Sequence, residues 1–161
     1  MDIRALDNIK RWLLYDTHNK QTVASHSFYV ALLTKDICEE YGLSQEDTLE
    51  AIIYALYHDA PEAVTGDVPY SAKRKHPEIE KALRKAEDTI YKELNIERRD
   101  EIKAIVKLAD VLEAYHYCKA EVALGNTNFI RLREEAHENV VKWRLQVERY
   151  WSDKEGNADG A

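Results

Sequence analysis

The sequence predicts an all-α protein, and three observations lead to that prediction. The chain has 161 residues but only 5 glycines and 3 prolines, so few residues interrupt a regular helix. Apolar residues recur at helical spacing in one segment after another, and no segment makes a convincing strand. With 45% hydrophobic and 33% charged residues, the composition is typical of a globular protein with one core. We therefore expect a single-domain bundle of about six helices.

The first half of the chain predicts three of these helices. Apolar spacing favours a first helix over residues 3–15. A second, over residues 26–41, should end before Gly42, since glycine commonly follows the last residue of a helix. A third should begin at Ser44, a typical N-cap residue, and end near Pro61. The side chains expected on their buried sides are Ile3, Leu6, Ile9, Leu13, Val30, Leu33, Ile37, Cys38, Leu49, Ile52, Ile53 and Leu56.

The second half predicts a loop followed by three helices. The loop covers residues 64–77, and Pro77 suits the first turn of the amphipathic helix after it. A long apolar helix over residues 99–124 should stop at Gly125, and a last helix covers residues 128–151. We expect the domain to occupy residues 1–152, with a polar tail over residues 153–161.

The charge and cysteine content narrow the class of function. A net charge of −7 argues against a nucleic-acid partner, although a metal and a few lysines can still make one pocket attractive to a small anion. Cys38 and Cys118 lie far apart and outside any C-x-x-C motif, which indicates two reduced core thiols. The sequence shows neither a signal-peptide pattern nor an apolar run of about 18 residues, so we expect a cytoplasmic protein without a membrane span.

A histidine and several acids follow the third predicted helix, and they suggest a metal site. His58 and Asp59 are adjacent, so both can reach one ion only near a helix end or across a groove between helices. His26, at the start of a helix, and Asp110, inside an apolar helix, are candidates to complete the set. Two imidazoles and two carboxylates suit Mn, Fe, Co, Ni or Zn. The residues alone leave an alternative open: a surface His-Asp pair and a salt-bridged Asp110.

The same residues resemble a known family pattern. His26, His58-Asp59 and Asp110 occur in the order of the H…HD…D signature of the HD-domain superfamily of metal-dependent phosphohydrolases. The chain is similar in particular to the bacterial 5′-deoxynucleotidases of that superfamily, over about residues 8–130. The motifs that carry this resemblance are Arg11-Trp12, Ser25-His26-Ser27, His58 through Pro69 with Lys73, Ala109-Asp110, and "LGNTNF" at 124–129.

The resemblance implies an HD-type bundle and a hydrolase. The expected reaction is release of phosphate from deoxynucleoside monophosphates by a metal-activated water, with His26, His58, Asp59 and Asp110 as ligands. The expected cofactor is one divalent transition metal (Co, Mn, Zn, Fe or Ni), with additional Mg or Mn accompanying the substrate phosphates as a further expectation. A homo-oligomer, dimer or larger, is also implied, for which the last two long helices offer a face.

Two departures from the family pattern keep alternatives open. Ser25 stands where a glutamate is common, which removes a carboxylate near the metal. The chain is also short, which favours comparison with small phage members that resemble deoxynucleoside triphosphate hydrolases releasing triphosphate. A degenerate HD domain that only binds or regulates is a third possibility.

The resemblance further implies roles for residues around the ligands. Glu62 is expected to orient or deprotonate the attacking water, and Asp67 to contact the deoxyribose or protonate the leaving oxygen. Without the family, the residues alone favour a solvated helix-end acid for Glu62 and a turn-capping aspartate for Asp67.

Residues that bind the substrate are expected to lie close by. Arg11 has the planar fork that suits a phosphate, and Lys73 and Lys107 are weaker phosphate candidates, each of which could simply be an exposed side chain. Trp12 could stack on the base or belong to the core.

Overall fold

The computed structural model describes residues 1–155, and within them the all-α prediction is confirmed. No strand forms in this part of the chain; Lys10 and Thr22 make one isolated antiparallel bridge. Two short 3₁₀ helices cover Ile3–Asp7 and Thr127–Phe129. The α-helices are α1 (Val23–Glu40), α2 (Gln45–Tyr57), α3 (Glu62–Thr65), α4 (Tyr70–Lys75), α5 (Pro77–Glu93), α6 (Asp100–Ala123) and α7 (Ile130–Glu155).

Several helix ends lie where the sequence predicts them. Ser44 caps α2 and accepts a hydrogen bond from the amide of Asp47 at 3.1 Å. Gly42 adopts φ 64° just after α1, a conformation that costs a glycine little. Pro77 occupies the first turn of α5, and α6 ends one residue before the predicted position. Local sequence therefore sets these boundaries.

Helix α6 forms the centre of the molecule. It packs against α1, α2 and α7, and its buried residues extend over most of its length. The core around it is built of aliphatic side chains and alanines, so the three neighbouring helices approach closely. Its buried members are Val30, Ala31, Ile37, Cys38, Ala51, Ala55, Ile102, Ala104, Ile105, Val106, Leu108, Ala109 and Val147.

The predicted first helix over residues 3–15 is wrong. Only Ile3–Asp7 is helical, and the chain then runs extended against the start of α1, where the amide of Arg11 donates to the carbonyl of Gln21 at 3.0 Å. Trp12 adopts φ 61°, which an α-helix does not allow. The backbone here therefore forms hydrogen bonds with the segment before α1 and does not continue as a helix.

The predicted inner face of α2 is also largely wrong. Leu49 is 59% exposed, Ile53 41% and Leu56 42%, whereas Ala51 and Ala55 are fully buried. Of the four predicted residues, only Ile52 packs partly against the core. Because α2 contacts α1 and α6 through small side chains, the larger apolar residues point away from the core.

The last helix extends beyond its predicted end. Helix α7 continues to Glu155, so the first residues of the predicted tail 153–161 are helical, and residues 156–161 lie outside the described part of the chain. No helix among residues 1–155 combines the length and apolar character needed to cross a bilayer.

Candidate metal centre

Three helices bring the four predicted ligand side chains together. His26 belongs to the first turns of α1, His58 and Asp59 follow α2, and Asp110 lies in the middle of α6. The Nε2 atom of His26 is 3.2 Å from an oxygen of Asp110 and 3.6 Å from an oxygen of Asp59. The Nε2 atom of His58 is 3.3 Å from the same oxygen of Asp59. His26, His58 and Asp59 therefore surround one point, and Asp110 adjoins this group through its contact with His26.

The end of α2 explains how two adjacent residues can face the same point. His58 is the C-terminal cap residue, and the chain leaves the helical path after it through turns in which the amide of Glu62 donates to the carbonyl of Asp59 at 2.9 Å. The Nδ1 atom of His58 lies 2.7 Å from the carbonyl of Ala55, and the hydroxyl of Tyr91 donates to the carbonyl of His58. These bonds fix the imidazole and direct its Nε2 atom toward Asp59.

The two imidazole nitrogens that face the carboxylates fit a metal ion. Within the described residues, Nε2 of His26 and Nε2 of His58 are both buried and make no hydrogen bond. Candidate ligand atoms of His26, His58 and Asp59 all lie within 4.8 Å of one another. Buried polar atoms without partners are costly, and a divalent ion would supply the partner that both nitrogens lack.

Electrostatics at this point also suit a cation. Burial alone would raise the pKa of Asp59, but His58, His26 and Arg11 hold it below its usual range. Burial likewise opposes ionisation of Asp110, and Lys107 and the two histidines outweigh it, so its pKa also lies well below normal. Burial by itself lowers the pKa of His58, whereas the neighbouring carboxylates raise it to about 9. Two ionised carboxylates therefore hold positive charge at this site.

Glu62 and Asp67 lie beside the cluster but have a different environment. Glu62 starts the short helix α3, and its Oε2 atom is buried with no hydrogen-bond partner among residues 1–155. Burial and the charges of Asp59 and Asp67 raise the pKa of Glu62 to about 9. Burial, opposed first by Arg11, also raises the pKa of Asp67 above its usual value. Both carboxyl groups thus hold a proton more readily than ordinary acids.

The predicted phosphate-binding side chains surround these acids. An Nη1 atom of Arg11 lies 3.5 Å from Asp59, and both side chains are mostly buried. The ammonium of Lys107 pairs with Asp110 at 2.5 Å. Lys73, on α4, is half-buried, and its charge partly offsets the upward pKa shifts of Glu62 and Asp67. All three cations therefore act on the same group of carboxylates.

Trp12 lies in an aromatic cluster next to this site. Its ring stacks on that of Tyr117, with the centroids 5.1 Å apart and an angle of 6° between the planes. It makes an edge-to-face contact with Phe129, with the centroids 5.4 Å apart. The loop around it, residues 12–20, is tied to the end of α6: Glu121 accepts from the amides of His18 and Asn19, at 2.9 and 2.7 Å. The side chain of Asn126 donates to the carbonyl of Asp16 at 2.9 Å. Through this contact the "LGNTNF" segment holds the loop that carries Trp12 in place.

Sequence reasoning missed the buried polar residues that lie behind the predicted ligands. Glu113 lies 2.6 Å from Nδ1 of His26, and Gln21 donates to Glu113 at 2.6 Å. Glu113 and Glu121 both lie on the apolar helix α6, and an acid inside an apolar pattern was the available signal for each, as it was for Asp110. Ser25, which replaces the common glutamate, instead completes a capping box with Thr22.

Comparison with known proteins identifies the family. The family described as "5′-deoxynucleotidase YfbR-like" matches residues 1–97 and 88–154. The chain belongs to this family. It is thus an HD-domain hydrolase of the 5′-deoxynucleotidase type, and the resemblance read from the motifs is confirmed.

Individual members and solved structures agree with that assignment. A 5′-deoxynucleotidase of Yersinia pseudotuberculosis (strain IP32953) is 32% identical over 160 residues, covering 87% of this chain and 81% of that protein. The HD phosphohydrolase DatZ of cyanophage S-2L, bound to dA and one catalytic Zn²⁺, matches with a TM-score of 0.64 and 26% identity over 94% of each chain. A Pyrococcus horikoshii protein gives a TM-score of 0.71 with 26% identity, covering 94% of this chain and 91% of that one.

Proposed function

We propose that this member of the YfbR-like family is a metal-dependent 5′-deoxynucleotidase that hydrolyses deoxynucleoside monophosphates to deoxynucleosides and phosphate. The observation that carries the proposal is the pair of buried, unpartnered imidazole nitrogens of His26 and His58, facing Asp59 and Asp110 with Glu62 alongside. Family membership supplies the substrate class. The same comparisons do not favour the triphosphate hydrolase alternative.

His26, His58, Asp59 and Asp110 would hold the metal. Their mixed nitrogen and oxygen donors suit Zn, Mn, Co, Fe or Ni, and Zn²⁺ is the ion of the related phage enzyme. When bound, a divalent ion supplies Lewis acidity that polarises a phosphoryl oxygen and increases the acidity of water. An extra Mg or Mn ion would accompany the substrate phosphate.

Glu62 and Asp67 would carry out the proton transfers. In its ionised form, which the charges of Arg11 and Lys73 favour, Glu62 would orient a water molecule and take its proton as the water oxygen bonds to phosphorus. The bond from phosphorus to the 5′ oxygen then breaks, and Asp67 donates a proton to that leaving oxygen. At both carboxyl groups the charges of Arg11 and Lys73 favour the ionised form and burial favours the protonated form, which suits groups that exchange protons.

The remaining candidates would bind the substrate. Arg11 presents its guanidinium to the phosphate while it contacts Asp59 at 3.5 Å. Lys73 adds positive charge on the side of Glu62 and Asp67, and Lys107 acts through its pairing with Asp110. Trp12 has one face covered by Tyr117, so its other face or its edge would contact the sugar or base.

The direct test is turnover of a nucleotide panel. Purified protein should be assayed on deoxy- and ribonucleotides, as mono- and triphosphates, with Mn, Co, Mg or Zn added. We expect hydrolysis of deoxynucleoside monophosphates with inorganic phosphate as the product. Release of inorganic triphosphate from dATP would replace this proposal with the triphosphate hydrolase, and stoichiometric metal without turnover of any nucleotide would support a binding module.

We also propose that the enzyme is a cytoplasmic homo-oligomer that does not bind nucleic acid. The net charge of −7 argues against a nucleic-acid partner. The buried free thiols of Cys38 and Cys118 suit the reducing cytoplasm. For assembly, the buried helix α6 offers little surface, whereas α1 exposes Phe28 and Leu32 one turn apart. Light scattering coupled to size-exclusion chromatography tests the assembly, and a monomer at all concentrations would contradict it.

A further inference from the structure

A chain of hydrogen bonds runs through buried side chains from Trp12 to the proposed metal ligand His26. The indole nitrogen of Trp12 donates to Oε1 of Gln21 at 3.0 Å, and Nε2 of Gln21 donates to Oε1 of Glu113 at 2.6 Å. The other oxygen of Glu113 lies 2.6 Å from Nδ1 of His26. Gln21 is 7% exposed, Glu113 5% and His26 0%, so water does not compete for these bonds.

The direction of every bond in this chain follows from its first member. An indole N–H can only donate, so Trp12 requires the oxygen of the Gln21 amide. That choice turns the amide nitrogen of Gln21 toward Glu113, whose carboxylate can only accept. The carboxylate then accepts a hydrogen bond from the Nδ1–H of His26, and in the neutral ring this leaves the lone pair on Nε2, the atom that faces Asp59 and Asp110.

We propose that Glu113 is a positioning residue that fixes the ring orientation and tautomer of His26 for metal binding, and that Gln21 and Trp12 fix Glu113 in turn. This inference rests on the proposed function to the extent that His26 is taken as a ligand. Glu113 does not touch the substrate or the reacting atoms; it acts through His26.

The cost of this arrangement supports a functional reason for it. Three neighbouring polar side chains are buried beside an apolar cluster, where aliphatic side chains would pack without any need for partners. Trp12 also adopts φ 61°, a conformation that is uncommon for a bulky residue. Carboxylates that receive the second N–H of a ligating histidine commonly tune such sites, which is the role assigned here.

The first test is Glu113→Gln. The amide of a glutamine at 113 has one accepting oxygen and one donating nitrogen. In one orientation its nitrogen faces the amide nitrogen of Gln21, so two donors meet; in the other its nitrogen faces the Nδ1–H of His26. We expect metal affinity, measured by competition with a chromogenic chelator in the absence of substrate, to fall about 10–100-fold. The visible spectrum of the Co²⁺-loaded protein should also change. Glu138→Gln, the same substitution at an exposed site on α7, is the matched control and should alter neither readout.

The second test exchanges the two residues. The single variant Gln21→Glu puts two carboxylates at the 2.6 Å contact and should weaken metal binding and lower thermal stability. In the double variant Gln21→Glu/Glu113→Gln, Glu at 21 accepts from both Trp12 and residue 113, and the amide oxygen at 113 accepts from His26. The bond directions are restored at the same net charge, so we expect metal affinity within about threefold of wild type.

The exchange distinguishes positioning from simple packing. If Glu113→Gln binds metal as tightly as wild type, the inference is overturned. It is also overturned if the double variant binds metal no more tightly than Glu113→Gln, or if the double variant fails to fold. Should Glu113→Gln alone fail to fold, recovery in the double variant still decides the question. These measurements need no turnover: weakened metal binding in an enzyme that hydrolyses no nucleotide would refute the proposed function and leave this inference standing.

Discussion

The two sides of the proposed active site differ in what holds their side chains. On one side, His26 and Asp110 come from α1 and α6, helices of 18 and 24 residues, and each has a close partner: Glu113 for His26 and Lys107 for Asp110. On the other side, Glu62 starts a helix of four residues, and Asp67 lies in the turn after it. The Oε2 atom of Glu62 is buried and, among the described residues, makes no hydrogen bond.

This difference separates holding a metal from moving a proton. Ligands need fixed positions, which long packed helices and paired neighbours provide. A group that gives and takes protons must be able to change its charge, and burial together with the charges of Asp59 and Asp67 raises the pKa of Glu62 to about 9, in contrast to the lowered pKa of Asp59. Glu62 lies only three residues after Asp59, so under the proposed roles adjacent parts of one segment would serve the two purposes.

The largest expected effect comes from removing a ligand. Asp110→Asn keeps the shape of the side chain but removes its charge, so the protein should lose bound metal and at least about 10³-fold in kcat/KM, since the metal supplies several kcal/mol. Elemental analysis and turnover of dAMP measure both. Full metal content in this variant would remove Asp110 from the ligand set, and Glu138→Gln again serves as the control.

Glu62→Ala should separate the two sides. We expect kcat to fall about 10²–10⁴-fold while metal content stays at the wild-type level, because Glu62 acts on protons and does not hold the ion. Metal analysis and kinetics on the same preparation check this. A near wild-type rate would refute the assigned role, and parallel loss of metal would make Glu62 a ligand.

Arg11→Lys should have a smaller effect that depends on the phosphate. A lysine keeps the charge but loses the planar fork, so kcat/KM for dAMP should fall about 10–100-fold, the equivalent of a lost charged hydrogen bond. Inhibition by deoxyadenosine, which carries no phosphate, should be unchanged. Equal weakening of both compounds would mean that Arg11 shapes the site as a whole. Arg131→Lys, at an exposed position, is the matched control.

The last prediction concerns stability without metal and involves no loss of turnover. The pKa of Glu62 is about 9 when folded against an ordinary value of 4.5, so the folded protein holds a proton that the unfolded chain releases, and stability falls as pH rises from about 4.5 to 9. Glu62→Gln removes that loss. In EDTA the melting temperature of this variant should exceed that of wild type at pH 8 and match it near pH 4.5. Each kcal/mol of difference in unfolding free energy should shift the melting temperature by about 2–4 °C. An equal difference at both values of pH would show that the effect is not ionisation.

Several parts of the fold could be predicted because they depend on neighbours in sequence. The cap at Ser44, the stop at Gly42 and the start at Pro77 each rest on one residue's own backbone preferences or hydrogen bonds. The first helix and the inner face of α2 failed for the opposite reason. The conformation of Trp12 and the burial of the α2 alanines depend on the segments that pack against them. The spacing of apolar residues does not indicate which segments those are.

The sequence by itself determined the helical class, the order of the proposed ligand residues and the family, because regular spacing and ordered motifs are properties of the chain. Only the tertiary structure decided what supports those ligands. Gln21 and Glu113 are 92 residues apart, and Glu113 and His26 are 87 apart, yet each pair meets at 2.6 Å. A hydrogen bond depends on distance in space and on which atom carries the proton, and both are fixed only when α6 packs against α1.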